Sequence, residues 1–448
     1  MAIKNKRDTH YVLVSLMAVF TVYGAEAQQR PLSIFTAAET GYTNRADLKK
    51  IWRDIRASKE LEKSAIAGYL PHIQVEAGAG KASRFATLYF TQLLYSPAGP
   101  LQLYRIAQQD TRVLELQQIL HKETIRFQAE TGVLDLWYSQ QKNQLVQEYN
   151  CVSRLVYAQQ DHEYSLGLSD KETWMQKTAD FTLAQARVAK YIDELTVSSA
   201  KVELNLGIMC TPSMHIDSES VKSLIDHALQ EGDAQSAERY YQLALENRQE
   251  LRIADELIKK EIKWQHYYAK SYFPSISLYT NVIKYSFNGG LQVEGLGAMG
   301  TSLSKLFTFR TGWNAGFKFD WQFDGLENMF NSCASEERGY SAMMDRIDKI
   351  VKIKEEVENN HARLSSLCKE FRVSKADYTR AANEIILKRK QYEVGLISAV
   401  DLKQAETVWL KAQYDYLTSK VNVAKQYQRL LYSCGYPDNP QKIMAQGS

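Results

Sequence analysis

The chain carries two tandem copies of one long unit, and that duplication constrains its fold more than any other feature. Asn44-Arg45, Leu48 and Tyr69-x-Pro71 recur 203 residues later as Asn247-Arg248, Leu251 and Tyr272-x-Pro274. Leu166-Gly167-Leu168 and Gly207 recur 228 residues later as Val394-Gly395-Leu396 and Gly435. The second copy therefore holds 25 extra residues between its Pro and Gly landmarks. A repeat of this size speaks for architecture before it speaks for chemistry.

Proline placement says what the copies are made of. There are only eight prolines in 448 residues, and a proline inside a helix costs about 3 kcal/mol. The proline-free stretches 101–165 and 326–394 are therefore expected as very long helices, broken at most at Gly132 and Gly339. At about 1.5 Å per residue each approaches ~100 Å and needs partner helices along its whole length. Apolar residues recur every seven positions in the second stretch: Ile350, Val357, Leu364, Phe371, Tyr378, Ile385 and Tyr392. The returning segment does the same with Leu402, Trp409, Tyr416, Val423 and Leu430, and places Ala405, Ala412 and Ser419 at the companion seam. This is a coiled-coil heptad with room for close approach. The first copy runs Ile106, Val113, Leu120, Phe127 and Leu134, then shifts by four residues to Tyr138, Leu145 and Val152. Such a shift locally unwinds a supercoil. Periodicity alone is equally compatible with an ordinary antiparallel helical bundle.

The segments ahead of the long helices break that tie. Over 311–324, Trp313, Ala315, Phe317, Phe319, Trp321 and Phe323 alternate with Asn314, Gly316, Lys318, Asp320, Gln322 and Asp324. Unbroken alternation is a strand signal. One face is aromatic and the other polar, as in a membrane β-barrel with its apolar side toward lipid. Ile276, Leu278, Thr280 and Val282 begin a partner strand, and 287–308 reads as the loop between them. In the first copy Ile73, Val75 and Ala77 form a strand, a turn follows near Gly78-Ala79-Gly80, and a second strand occupies 84–94. Four strands cannot close a channel, because about eight enclose little more than side chains. One protomer would have to lend its strands to a shared barrel.

The remaining signals bound the setting. Lys4, Lys6 and Arg7 precede an apolar run from Tyr11 to Tyr23 and the small-x-small site Ala25-Glu26-Ala27. That is a secretory signal peptide at 1–27, shorter in its apolar part than the ~20 residues of a spanning helix. Beyond it no apolar run reaches that length, so entry into a membrane would have to use strands. The formal net charge is only +3, which argues against a nucleic-acid partner. Five cysteines lie far apart with no CxxC. Cys210 and Cys434, each near the end of a copy, could pair, and the others read as small apolar residues. No catalytic or cofactor motif is present. Gly78-Ala-Gly-Lys81 lacks the first glycine and the Ser/Thr of a phosphate loop, and no HExxH, Cys/His cluster or G-x-S-x-G occurs. Neither an enzyme nor a cofactor or metal is expected.

The order is leader, helix, Tyr-x-Pro, hairpin, long helix, Gly turn and returning helix, with everything after the leader written twice. With it come Tyr392-Glu-Val-Gly395-Leu-Ile-Ser-Ala-Val-Asp401-Leu, Ala-Gln-Tyr-Asp-Tyr at 412–416, Gly435 and Phe323-Asp324-Gly325. From about residue 32 to 436 the chain resembles the outer-membrane efflux protein family, the TolC-like channels. The resemblance implies a mostly α fold with a β-barrel portion. Two repeats of coiled-coil helices plus β-hairpins, at 28–207 and 236–436, would flank a connector at 208–235, with a short tail at 437–448. It implies a homotrimer whose four strands per protomer complete a twelve-stranded barrel in outer-membrane lipid, above a periplasmic α-barrel. The partners implied are a periplasmic adaptor (membrane fusion) protein and an inner-membrane transporter, with the channel a passive exit for efflux or type I secretion. In the connector, the polar run Asp217-Ser218-Glu219-Ser220 is expected as an exposed loop leading into a short helix. The competing reading is a soluble periplasmic coiled-coil scaffold or adaptor protein.

The resemblance places the periplasmic tip at the two Gly turns. Leu166, Gly167 and Leu168 and Val394, Gly395 and Leu396 would meet the adaptor, although glycine there also serves any helix reversal. Asp401 matches the aspartate that rings the constriction, where three carboxylates would favour cations, and Tyr392 matches a tyrosine that takes part in closing the tip. Gln404 stands where other members carry a second aspartate, and Ile397 where they carry a basic residue, which puts a strongly acidic gate in doubt. Ser398-x-x-Asp401 and Ser169-x-x-Glu172 also read as capping boxes that merely start the returning helices. Both roles stay open for Asp401 and Glu172.

Overall fold

A computed structural model describes residues 32–79, 83–234, 236–287, 309–321 and 326–435. In chain order the elements are α1 (Ile34–Asn44), α2 (Ala46–Ala67), β1 (His72–Ala79), β2 (Ser83–Tyr95), α3 (Pro100–Ser165), α4 (Lys171–Leu206), α5 (Ser218–Ala234), α6 (Ala237–Asn247), α7 (Gln249–Lys270), β3 (Ser275–Phe287), β4 (Phe309–Asp320), α8 (Glu327–Glu393) and α9 (Ala399–Ser433). The expected leader at 1–27, Gly80, Phe323-Asp324-Gly325 and the tail at 437–448 lie outside the described residues, as does the expected loop at 287–308 but for Phe287, which ends β3. The turn expected near Gly78-Ala79-Gly80 does not begin at Gly78, because Gly78 and Ala79 continue β1 and pair with Phe85 and Arg84.

The long helices stand where the prolines put them. α3 spans 66 residues and opens on Pro100, a position where proline's missing N–H is no loss. α8 spans 67 residues, and neither Gly132 nor Gly339 interrupts its helix. No described helix is long and apolar enough to cross a membrane.

Contacts divide the chain into two compact units, each drawing on both repeats. One holds Lys50–Gln118 and Glu250–Lys349, and the other holds the remaining described residues. In the second of these, Val357, Leu364, Phe371 and Ile385 are buried as the heptad requires, with Ile353 and Ala381 on the same seam. Tyr378 stacks on Tyr416 of the returning helix at 5.1 Å. The ladder stops at Ile385, because Tyr392 is 45% exposed. In the first repeat the four-residue phase shift falls where α3 is buried on nearly every side. Ala129, Val133, Leu134, Leu136 and Trp137 are all covered there, so the heptad slips where the helix is buried on more than one face.

The sequence landmarks meet in space. Gly207 ends α4 with φ 66°, and a Cβ on it would lie 3.2 Å from Asn44 Cβ. Gly435 follows α9 with φ 76°, and a Cβ there would lie 3.0 Å from the backbone N of Arg248. Each copy thus closes its Asn-Arg corner against its own terminal glycine, using a left-handed backbone that glycine adopts without a Cβ penalty. The arginine then braces the long helix. Arg45 donates to Gln128 Oε1 at 2.7 Å, and Arg248 donates to Glu356 Oε2, 228 residues on from Gln128.

One expectation is corrected here, and one open alternative is decided. Ser218, Glu219 and Ser220 form the first turn of α5 and are not a loop. Asp217 holds that turn by accepting from Glu219 N at 3.0 Å, while Val221, Leu224, Ile225 and Ala228 supply its buried stripe and pack it on α9. Leu32 bridges Ile216 in parallel, which ties the chain start to the same place. Cys210 and Cys434 are free and buried, not paired. Burial pushes their thiols up to about 11 and about 12.

Candidate functional site

Two regions hold the residues that the sequence singled out. The first is the sheet, in the order β1-β2-β3-β4, antiparallel throughout. The two hairpins, one from each repeat, join through β2 and β3, and this pairing leaves one edge of β1 and one edge of β4 open among the described residues. The register then sorts every strand onto two faces. One row runs Trp313, Val282, Leu88, Val75, and the next apolar row runs Ala315, Thr280, Phe90, Ile73. Phe317 pairs with Leu278, and Phe319 with Ile276. The opposite face runs Asn314, Asn281, Tyr89, Gln74, and beside it Gly316, Tyr279, Thr91, His72. The apolar face is unpartnered: Trp313, Phe317, Phe319 and Trp321 are 66–74% exposed. Exposed apolar patches of this kind mark surfaces that contact another protein, a ligand or a membrane. Strand β4 ends at Asp320, so Trp321 lies one residue beyond it. The indole of Trp321 donates to Tyr272 O at 3.0 Å. Phe323 is outside the described residues.

The second region is the pair of helix reversals. Gly167 and Gly395 have φ 69° and 76°, and both stand in open space. In the first, Leu168 N donates to Glu163 O at 2.9 Å and Gly167 N to Tyr164 O at 3.0 Å. In the second, Leu396 N donates to Gln391 O at 2.8 Å and Gly395 N to Tyr392 O at 2.9 Å. Both are Schellman turns, so glycine at each supplies the left-handed backbone that the helix reversal needs. Leu166, Leu168, Val394 and Leu396 are exposed at these turns.

The returning helices start differently. At the second tip the capping box is complete: Asp401 N donates to Ser398 Oγ at 3.1 Å, and Ser398 N donates to Asp401 Oδ2 at 3.2 Å. The Ser398 hydroxyl and backbone N–H hold the Asp401 carboxyl below the usual carboxylate range. At the first tip the expected box is not formed. Asp170 is the N-cap and accepts from Thr173 N at 3.2 Å. Helix α4 begins one residue later than the Ser169 reading requires, and Asp170 competes successfully for the cap. Ser169 instead accepts from Gln160. Glu172 is exposed in the first turn and closes no box. Gln404 is exposed one turn beyond Asp401. Asp401, Gln404, Tyr392 and the Val394–Leu396 turn therefore share one hairpin, while Glu172 belongs to the other.

Sequence reasoning missed a clasp on the first hairpin. Trp174 stacks on Tyr164 across the turn at 5.1 Å and donates its indole N–H to Asp161 at 3.0 Å. The repeat offset could have found it. Tyr164, Asp161 and Trp174 correspond to Tyr392, Arg389 and Leu402. The second copy has kept the tyrosine and lost the ring it stacks on. Arg389 has turned to Glu406 instead, at 3.5 Å.

Among the described residues no group of three His, Cys, Asp or Glu side chains is placed to hold a metal.

No protein-family model matches the chain, and no curated protein does. Solved structures do, and the fold they define is that of the TolC-like outer-membrane channels. One is CusC, described through its folding and transmembrane channel formation, with a TM-score of 0.70 over 90% of this chain and 92% of that one at 15% identity. The Campylobacter jejuni CmeC outer membrane channel matches with a TM-score of 0.69 over 92% and 88% at 12% identity. The Vibrio cholerae outer membrane protein VceC matches with a TM-score of 0.67 over 90% and 97% at 13% identity. At such identities the likeness is one of fold. The mostly α fold with a small β portion, read from the order of the sequence landmarks, is therefore the fold found, with the β portion a four-stranded open sheet in the single chain.

Proposed function

We propose that this chain is one protomer of a passive exit channel that spans the outer membrane and the periplasm. The observation that carries this reading is the open sheet, with one exposed apolar face and two unpaired edges. An open edge invites another strand, and a membrane-spanning sheet must close on itself. Four strands per chain is an even number, so β4 of one copy meets β1 of the next antiparallel. Three copies then give twelve strands, with the apolar rows facing lipid and the Asn314 row facing water. The exposed apolar residues Met344, Ile347 and Val351 on α8 offer surface for association of the helical parts in the same homotrimer.

The repeats at 28–207 and 236–436, with the connector at 208–235, form the helical duct in this reading. The turns at Leu166–Leu168 and Val394–Leu396 form its periplasmic tip. That tip meets an adaptor protein and, through it, an inner-membrane transporter of an efflux pump or type I secretion system. Asp401 rings the constriction in three copies, with Gln404 a neutral turn above it and Tyr392 beside it. A soluble periplasmic scaffold or adaptor would leave Trp313, Phe317 and Phe319 in water, which their exposure argues against.

The test is reconstitution in planar bilayers. The expected result is a detergent-requiring trimer with discrete conductance steps. A protein that is monodisperse without detergent and electrically silent would sink the channel reading.

A further inference from the structure

We propose that Cys210, Met214 and His215, in the connector between the two repeats, form a binding site for copper(I). The site is independent of the sheet and of the channel reading.

The chain concentrates soft donors in this segment. It has five Cys, ten Met and eight His in 448 residues. Four of these donors, Met209, Cys210, Met214 and His215, stand within seven positions. The turn that follows α4 then brings two of them together. Cys210 Sγ donates to Met214 Sδ at 3.5 Å. Both sulfurs can therefore reach one ion at metal–sulfur lengths of about 2.3 Å. Met214 and His215 line one cavity of about 500 Å³. His215 is exposed to solvent, so an ion has a way in to the buried thiol.

The donors are held before any ion arrives. Met214 N donates to Thr211 O at 3.0 Å and closes the turn. From α3, Gln140 Nε2 donates to Pro212 O at 3.0 Å and to Met214 O at 2.9 Å. From the start of the described chain, Leu32 N donates to His215 O at 3.0 Å. With four of its carbonyls engaged, the loop keeps its shape, and binding costs little further ordering.

The donor set selects the metal. Thiolate and thioether sulfur favour copper(I). Zinc takes its ligands from Cys, His, Asp and Glu, and among the described residues no three of these lie together. In the free protein the thiol keeps its proton, because burial pushes it up to about 11. The ion takes the place of that proton between the two sulfurs. Cys–SH and Cu⁺ give Cys–S–Cu and H⁺, with no change in oxidation state.

Copper(I) is titrated without oxygen into the purified full chain, in a background where the exposed Cys151 and Cys333 are serine, against the chelator bathocuproine disulfonate. One copper(I) per chain should resist the chelator. Cys210→Ser and Met214→Leu should each weaken binding by about tenfold or more. Circular dichroism checks that each variant is folded, and Met214→Leu, which nearly conserves volume, reads the site independently if Cys210→Ser does not fold. Because one thiol proton must leave, the apparent affinity should also fall about tenfold for each unit that pH drops. X-ray absorption at the copper edge should show two sulfurs and one nitrogen, and His215→Gln should remove the nitrogen. A parent protein that holds no copper, or variants that hold it as the parent does, would overturn the site. An affinity that ignores pH would overturn Cys210 as a ligand, and a parent spectrum without nitrogen would overturn His215. The channel reading stands through every one of these results.

Discussion

Arg248 donates to Glu356 at the position in the second repeat where Arg45 donates to Gln128 in the first. The same brace is drawn twice, once as an ion pair and once as a guanidinium bond to a neutral amide oxygen. Arg248 is also the better buried of the two, and its Nε donates to Ser433 O at 2.8 Å. Arg248→Ala should therefore cost about 2–3 kcal/mol, and Arg45→Ala about 1 kcal/mol. Thermal melts followed by circular dichroism compare them; equal losses would show that the charge and the Ser433 bond add nothing.

The terminal glycines differ from the tip glycines in what surrounds them. Gly395→Ala meets open space and loses only the left-handed preference, about 1 kcal/mol. Gly435→Ala has the same φ but would drive a Cβ to 3.0 Å from backbone atoms of Asn247 and Arg248. Its cost should exceed that of Gly395→Ala by about 1–3 kcal/mol. Denaturant melts of the two variants give the difference, and a smaller loss at Gly435 would refute the close corner.

Asp401 carries two separable expectations. Its carboxyl is held low by Ser398, so its contribution is present above the ordinary carboxylate range. That contribution is lost as pH falls through the depressed folded value. Amide exchange in the first turn of α9 should therefore quicken only in acid. In bilayer recordings, Asp401→Asn should weaken cation selectivity. Unchanged selectivity in a stable trimer would leave Asp401 with its capping role alone.

The Trp174 clasp predicts unequal tips. Trp174→Leu gives the first hairpin the residue that the second already has, and removes both the stack on Tyr164 and the bond to Asp161. The loss should be about 1 kcal/mol locally, read as faster amide exchange around the Gly167 turn with no change at Gly395. The reverse change, Leu402→Trp, should slow exchange around Tyr392. No response at either turn would mean that the stack is incidental.

Local order was legible in the chain because its signals are local. Absent prolines and a seven-residue period placed α3 and α8 to within a residue or two, and two-residue alternation placed the aromatic face of β4. The duplication announced that corners and turns would be built twice, and the Asn-Arg and Gly landmarks proved to be the two sides of one contact. Other features depended on partners far away in sequence. Nothing local tells β2 to pair with β3, because Leu88 and Val282 are joined only through the intervening helices. The cap at Asp170 was a contest between adjacent residues, decided by where α4 begins. The sequence by itself determined which segments are helix and strand, because hydrophobic period and proline act within a few residues. Only the tertiary structure decided that the sheet is one four-stranded surface with an apolar face open to the outside, because register and edge pairing are set between segments and not within them.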